Sequence, residues 1–166
     1  VKWQRLIMAS PGLHYLTLQD LIWINTQVTK KPQDFDYARL EEATFYQYGY
    51  GTSLKLIEQA GRLAAHFSRK RPLASGNEAT GFVALLGFLA LNQVHLRLSD
   101  AEAAAWYLGL ADQPEVAATE LAARAQTDEA EHHGEPPTAE ILTAILGQFP
   151  RTIEALLQQD HVARLA

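Results

Sequence analysis

The chain has no cysteine among its 166 residues. That excludes disulfides and thiolate metal sites, and it fits a reducing compartment. Positive charge is scarce: 14 Lys and Arg face 19 Asp and Glu, for a net charge of −5. Binding nucleic acid along its backbone requires a surplus of cations on one face, so no nucleic-acid partner is expected. Long apolar runs are missing too. The longest nearly apolar stretch, Gly81 to Leu91, falls far short of the roughly 20 residues that span a bilayer. The opening Val-Lys-Trp-Gln lacks the charged and apolar regions of a secretion signal. These absences together predict a cytoplasmic chain with no membrane partner. No internal repeat is visible.

What is present is helical. The length is that of one ordinary domain, and 48% of the residues are hydrophobic. Thr17 is placed to cap a helix running to about Val28, and Asp36 to cap a short one around Leu40. Residues 45–52, Phe-Tyr-Gln-Tyr-Gly-Tyr-Gly-Thr, alternate aromatics with Gln and Gly, which reads as an extended or hairpin-like excursion. Ser53 is placed to cap a third helix, in which Leu54, Ile57, Ala60, Ala64 and Phe67 recur at helical spacing. Pro72 stops it. From Glu78 to Asn92 almost no polar face remains, which marks a buried central helix. Its Gly81, Ala84, Gly87 and Ala90 would let neighbours approach closely.

Val94, Leu96 and Leu98 alternate with polar residues as in a short strand. Ser99 to Glu102 reads as a capping box. Pro114 suits the first turn of a helix reaching about Ala125. An acidic loop spans 127–137. Thr138 is placed to cap another helix, and a last one follows Pro150.

One loop carries a resemblance. Arg71-Pro72-Leu73-Ala74-Ser75-Gly76-Asn77-Glu78-Ala79, leading into the apolar helix, resembles the Fic/Doc (death-on-curing) motif His-Pro-Phe-x-Asp-Gly-Asn-x-Arg. Leu16 to Asp20 and Leu40 to Ala43 resemble the first two helices of the Doc branch. The likeness covers roughly residues 15–111. It implies an all-α fold: a Fic/Doc-like helical bundle around a buried central helix, with a small β-hairpin flap. Residues 1–126 would form the Fic/Doc-like domain, and 127–166 an acidic loop and C-terminal helical extension of the same domain.

In that family the motif histidine is a general base, the acidic residue holds magnesium on the nucleotide, and the Gly-Asn turn and terminal arginine bind phosphate. Members transfer AMP or phosphate to protein hydroxyls. Here Arg71 replaces the base, Ser75 the metal carboxylate and Ala79 the arginine. Arginine stays protonated and cannot abstract a proton. General-base catalysis is worth about 10²–10⁴ in rate, and a metal several kcal/mol more. The resemblance therefore implies a degenerate active site, no intact catalytic residue and no bound metal. It points to a pseudoenzyme that acts on a protein partner, as a toxin–antitoxin relative would, with no cofactor. The alternative is an active transferase that uses ATP and magnesium through non-standard residues, with Glu78 or His66 as substitutes.

Several residues admit two readings. Gly76, Asn77, Arg69, Lys70 and Arg71 are phosphate-binding candidates; the basic triplet also reads as a solvated helix end, and Ser75 to Glu78 also fits a capping box. Tyr46, Tyr48 and Tyr50 are candidates for a target-binding flap, on one face if the segment is a strand, or for an edge packed on the domain. His132 and His133, with Glu129, Glu131 and Glu135, read as a polar loop before they read as a metal site.

Overall fold

A computed structural model describes residues 12–48, 55–110, 112–128 and 134–165, the side chains of 160–165 excepted. Helix α1 is Leu18–Thr29, α2 Tyr37–Phe45, α3 Leu56–Lys70 and α4 Asn77–Leu91. Strand β1 (Val94–Leu96) follows, then α5 (Ala103–Leu110), α6 (Pro114–Arg124), β2 (Ala125–Thr127), α7 (Thr138–Gln148) and α8 (Pro150–Leu165). The fold is all-α, as expected, and among the described residues it carries one small two-stranded antiparallel sheet.

The two expected N-caps form. The Thr17 hydroxyl accepts the Asp20 N–H while the Asp20 carboxylate accepts the Thr17 N–H, closing a full capping box. Asp36 accepts the N–H of Arg39 at the head of α2. Pro114 sits in the first turn of α6. Thr138, by contrast, is the first residue of α7 and does not cap it; Pro137 holds the cap position. The expected cap at Ser53 lies outside the described residues.

Helix α4 is the axis of the core. Of its 15 residues only Glu78 and Ala90 escape full burial. Helices α1, α3, α7 and α8 and strand β1 pack around it. Its glycines admit large neighbours: a Cβ at Gly81 would collide with the Tyr107 hydroxyl, and one at Gly87 would sit 2.6 Å from Leu142 Cδ2. Leu142, Ile145, Phe149 and Leu156 from the C-terminal helices join the same hydrophobic cluster. Each fully buried Leu or Phe contributes about 1.5–3 kcal/mol.

Three side-chain amides tie extended backbone to this core. Gln47 accepts the Leu16 N–H at 2.8 Å and donates to its carbonyl at 2.7 Å. Asn92 does the same for His14, at 2.8 and 2.9 Å, and Asn77 for Leu73. In each case a buried or half-buried residue outside the ladders has its backbone polar groups satisfied by one side chain.

Two expectations about strands are corrected. Residues 45–48 are the end of α2 and a turn, so the described part of the aromatic excursion is not extended. The turn closes because the N–H groups of Gln47 and Tyr48 reach the carbonyls of Thr44 and Phe45. The sheet forms on the segment that the alternation of Val94, Leu96 and Leu98 marked as a strand: Val94 pairs with Thr127, His95 with Gln126 and Leu96 with Ala125. Strand β2 occupies residues read from the sequence as a helix end and loop. It exists because β1 offers unpaired backbone beside the end of α6, and the Arg97 N–H continues the pairing to the Arg124 carbonyl at 2.8 Å.

The Tyr107 hydroxyl is buried and finds no hydrogen-bond partner among the described residues. Burial, and then the nearby Glu78 charge, push its pKa well above the usual phenol range. A desolvated hydroxyl with no partner costs stability. Tyr107→Phe should leave the urea midpoint unchanged or raise stability by up to about 1 kcal/mol; a loss beyond that would mean the hydroxyl has a partner in solution.

Candidate functional site

The loop between α3 and α4 is set by the two helices it joins. Helix α3 ends at Lys70, and Arg71 caps it in the left-handed region (φ 45°, ψ 61°), its N–H bound to the Phe67 carbonyl. Helix α4 starts after Gly76, itself left-handed at φ 75°. A Cβ there would come within 2.7 Å of Thr29 Cγ2, so glycine is needed for both conformation and space.

Between these points the loop is strapped to the segment before α2. The Asp36 N–H donates to the Pro72 carbonyl at 2.9 Å and the Ala74 N–H to the Asp34 carbonyl at 2.8 Å, with a bridge between Phe35 and Leu73. From inside, Asn77 Oδ1 accepts the Leu73 N–H at 3.0 Å and Nδ2 donates to its carbonyl at 2.8 Å. Asn25 Nδ2 donates to the Ser75 carbonyl at 2.8 Å and to the Thr80 hydroxyl at 3.1 Å. The loop is held by its own chain from the α2 side and from the core.

The expected Ser75–Glu78 capping box does not form: the cap residue is Gly76, and no side chain caps α4. Glu78 turns instead to Arg71. Its two carboxylate oxygens meet the two terminal nitrogens of the guanidinium. The Glu78 side chain is only 11% exposed and that of Arg71 38%. The pair won because a fork-to-fork ionic contact is stronger than a neutral cap. The carboxylate also lies in the first turn of α4, where the helix dipole favours negative charge.

The basic triplet is similarly engaged. Lys70 Nζ lies 2.9 Å from Glu42 of α2. Arg69 donates to the Asp112 carbonyl at 3.0 Å and approaches its carboxylate at 3.5 Å. The three cations read as phosphate candidates therefore each meet an acidic residue from a different part of the chain. Ala79 is fully buried in the core and offers nothing to a ligand.

Beside the loop lies a cleft of about 830 Å³, lined by Lys30 and Lys31 at the end of α1, by Ser75 and Gly76, and by Leu146 and Leu157 of α7 and α8. It is where a ligand near the Gly76 turn would have room. Among the described residues no three His, Asp or Glu side chains gather to hold a metal ion. Residues 129–133, with His132 and His133, lie outside the described part, as does Tyr50.

The remaining tyrosines do not share a face. Tyr46 stacks flat on His66, with ring centroids 3.5 Å apart and planes 5° from parallel. Tyr48 meets Tyr15 at 4.4 Å and Phe45 at 5.5 Å. Alternation holds along a strand, and a turn breaks it. His66 Nδ1 is buried without a partner among the described residues. Burial lowers the His66 pKa below its ordinary 6.5, and Arg69, Lys70 and Arg62 lower it further against the opposing charge of Glu42.

Sequence reasoning missed Asn25, Glu42 and Asp112 as members of this site. Their partners are far off along the chain, and only the apolar spacing that buries Asn25 on the inner face of α1 gave a signal. Comparisons of the chain with protein-family models, with curated proteins and with solved structures found no match.

Two outcomes follow. Asn77→Ala leaves the buried Leu73 N–H and carbonyl unpaired and should cost about 2–4 kcal/mol in urea unfolding; a cost under 1 kcal/mol would show that the clasp is dispensable. His66, with a lowered folded pKa, is held neutral in the native state. The unfolded chain takes the proton first, so this contribution to stability is present above pH 6.5 and lost as pH falls below it. Proton NMR should find His66 titrating below 6.5, moving upward in Tyr46→Ala as the ring is exposed; a titration at or above 6.5 in the parent would contradict the burial.

Proposed function

We propose that this chain is a Fic/Doc-like protein whose catalytic motif has become a structural joint, and that it acts by binding a protein partner, as a toxin–antitoxin relative would. The observation that carries this reading is the ion pair between Arg71 and Glu78. A permanently charged guanidinium stands where the resemblance requires a proton acceptor. The Glu78 carboxylate, in the first turn after Gly76, is engaged by that guanidinium and is not available to grip a cation. The buried Ala79 supplies no phosphate contact. We place the protein in the cytoplasm with no bound nucleotide, magnesium or nucleic acid. Among the described residues no helix is long and apolar enough to cross a membrane.

The competing reading, ATP-dependent transfer of AMP or phosphate to a protein hydroxyl, draws on the cleft beside Gly76 and its two lysines. It needs a carboxylate and a base at the loop, yet Glu78 is engaged and His66 is stacked under Tyr46 on α3.

Titration calorimetry with magnesium–ATP should give no saturable heat, and radiolabelled ATP should label no lysate protein in the presence of the purified chain. Micromolar binding, or a labelled band that depends on the chain, would replace this reading with the enzymatic one.

A further inference from the structure

Helix α2 carries a second surface that the motif does not explain. Tyr37, Glu41 and Phe45 are spaced four residues apart and form one outward stripe. Tyr37 is 62% exposed and Phe45 47%. Phe35 and Tyr48, at 39% and 36%, flank them. Four of the six large hydrophobics exposed among the described residues thus lie together, the other two being Leu108 and Val116. Clustered apolar exposure of this kind marks an interaction surface more often than scattered residues do.

The stripe separates two grooves. One, of about 630 Å³ between α1 and α2, is floored by Leu18, Ile22 and Leu40. The other, of about 690 Å³, runs past Ala38, Glu42 and Tyr46. Tyr37, Glu41 and Phe45 line both.

The charges say what kind of occupant fits. Glu42 is paired with Lys70, and Asp36 with Arg39 at 3.9 Å. Glu41 is exposed and has no ion-pair partner among the described residues. Glu41 thus sits one helical turn from the exposed ring of Tyr37, on the same face of α2. A guanidinium matches that arrangement better than an ammonium: it forks onto a carboxylate while its flat face stacks on a ring.

We propose that the α2 stripe docks a segment of a partner protein in which one arginine is flanked by apolar side chains. The arginine meets Glu41 beside the ring of Tyr37, and its apolar neighbours enter the two grooves. This rests on the protein-binding reading above and adds where and by what chemistry the partner is held.

The test uses short synthetic peptides of leucine and alanine with a single central arginine, lysine or citrulline, followed by fluorescence anisotropy against the full chain. The arginine peptide should bind saturably, the lysine peptide several-fold more weakly and the citrulline peptide not measurably. Glu41→Gln and Tyr37→Ala should each weaken arginine-peptide binding about tenfold, or ~1.4 kcal/mol, whereas Val116→Ala should not. All three positions are exposed, so circular dichroism should find each variant folded. Absence of arginine-peptide binding, equal binding of citrulline, or indifference to both stripe variants would overturn the proposal. So would a concentration-dependent dimer in sedimentation that Glu41→Gln abolishes, which would assign the stripe to a second copy of the chain. Labelling from ATP would defeat the inactive reading and leave the peptide result standing; failed peptide binding without labelling would defeat the stripe alone.

Discussion

Glu78 reaches across the mouth of a loop to the guanidinium of Arg71, and the geometry of the candidate site follows from that contact. A helix N-terminus attracts anions because its first N–H groups are unpaired and its dipole points outward. At α4 that attraction is answered from within: the chain's own carboxylate lies in the first turn, already neutralised by a cation from the end of α3. Asn77 and Asn25 take up the loop's backbone polar groups beneath it. The outcome is a stable joint between two core helices. A joint of this kind needs neither substrate nor metal to hold its shape.

The joint opens into α4, the most tightly packed helix of the core. It is buried on nearly every side, and the glycines facing Tyr107 and Leu142 leave no slack for a shift. Close packing of this kind transmits displacement to the next layer instead of absorbing it. The other members of the basic triplet extend the effect outward, since Lys70 ties α3 to α2 and Arg69 ties it to the connection before α6. A charge run that reads as a phosphate-binding patch serves here as three separate cross-links. One of them, Lys70–Glu42, joins α3 to the helix that carries the exposed aromatic stripe.

Much of this architecture was legible in the residues. Thr17 and Asp36 announced two helix starts through capping chemistry that acts within four residues, and Pro72 announced a stop for a steric reason just as local. The absence of a polar face between 78 and 92 was enough to place α4 at the centre. What escaped depended on competition or distance. Ser75 and Glu78 fit a capping box by spacing, but Arg71 outbid the serine, and Gly76 adopted the left-handed turn that displaced the cap. Tyr46 and Tyr48 looked like one face of a strand, but the chain turns there, sending one ring to His66 and the other to Tyr15. Glu42 and Asp112 carry no pattern that links them to Lys70 and Arg69. Strand β2, Ala-Gln-Thr, has no alternation of its own and exists because β1 passes beside it.

If the Glu78–Arg71 pair already answers the helix dipole at α4, the Gly76 turn should hold no phosphate, whatever room the cleft beside it offers. Backbone amide NMR during titration with inorganic phosphate and then magnesium–ATP reads that turn directly. The account predicts that the Gly76, Asn77 and Glu78 amide signals stay in place while those amides remain intact and folded. Saturable movement of those three signals at micromolar nucleotide would contradict it.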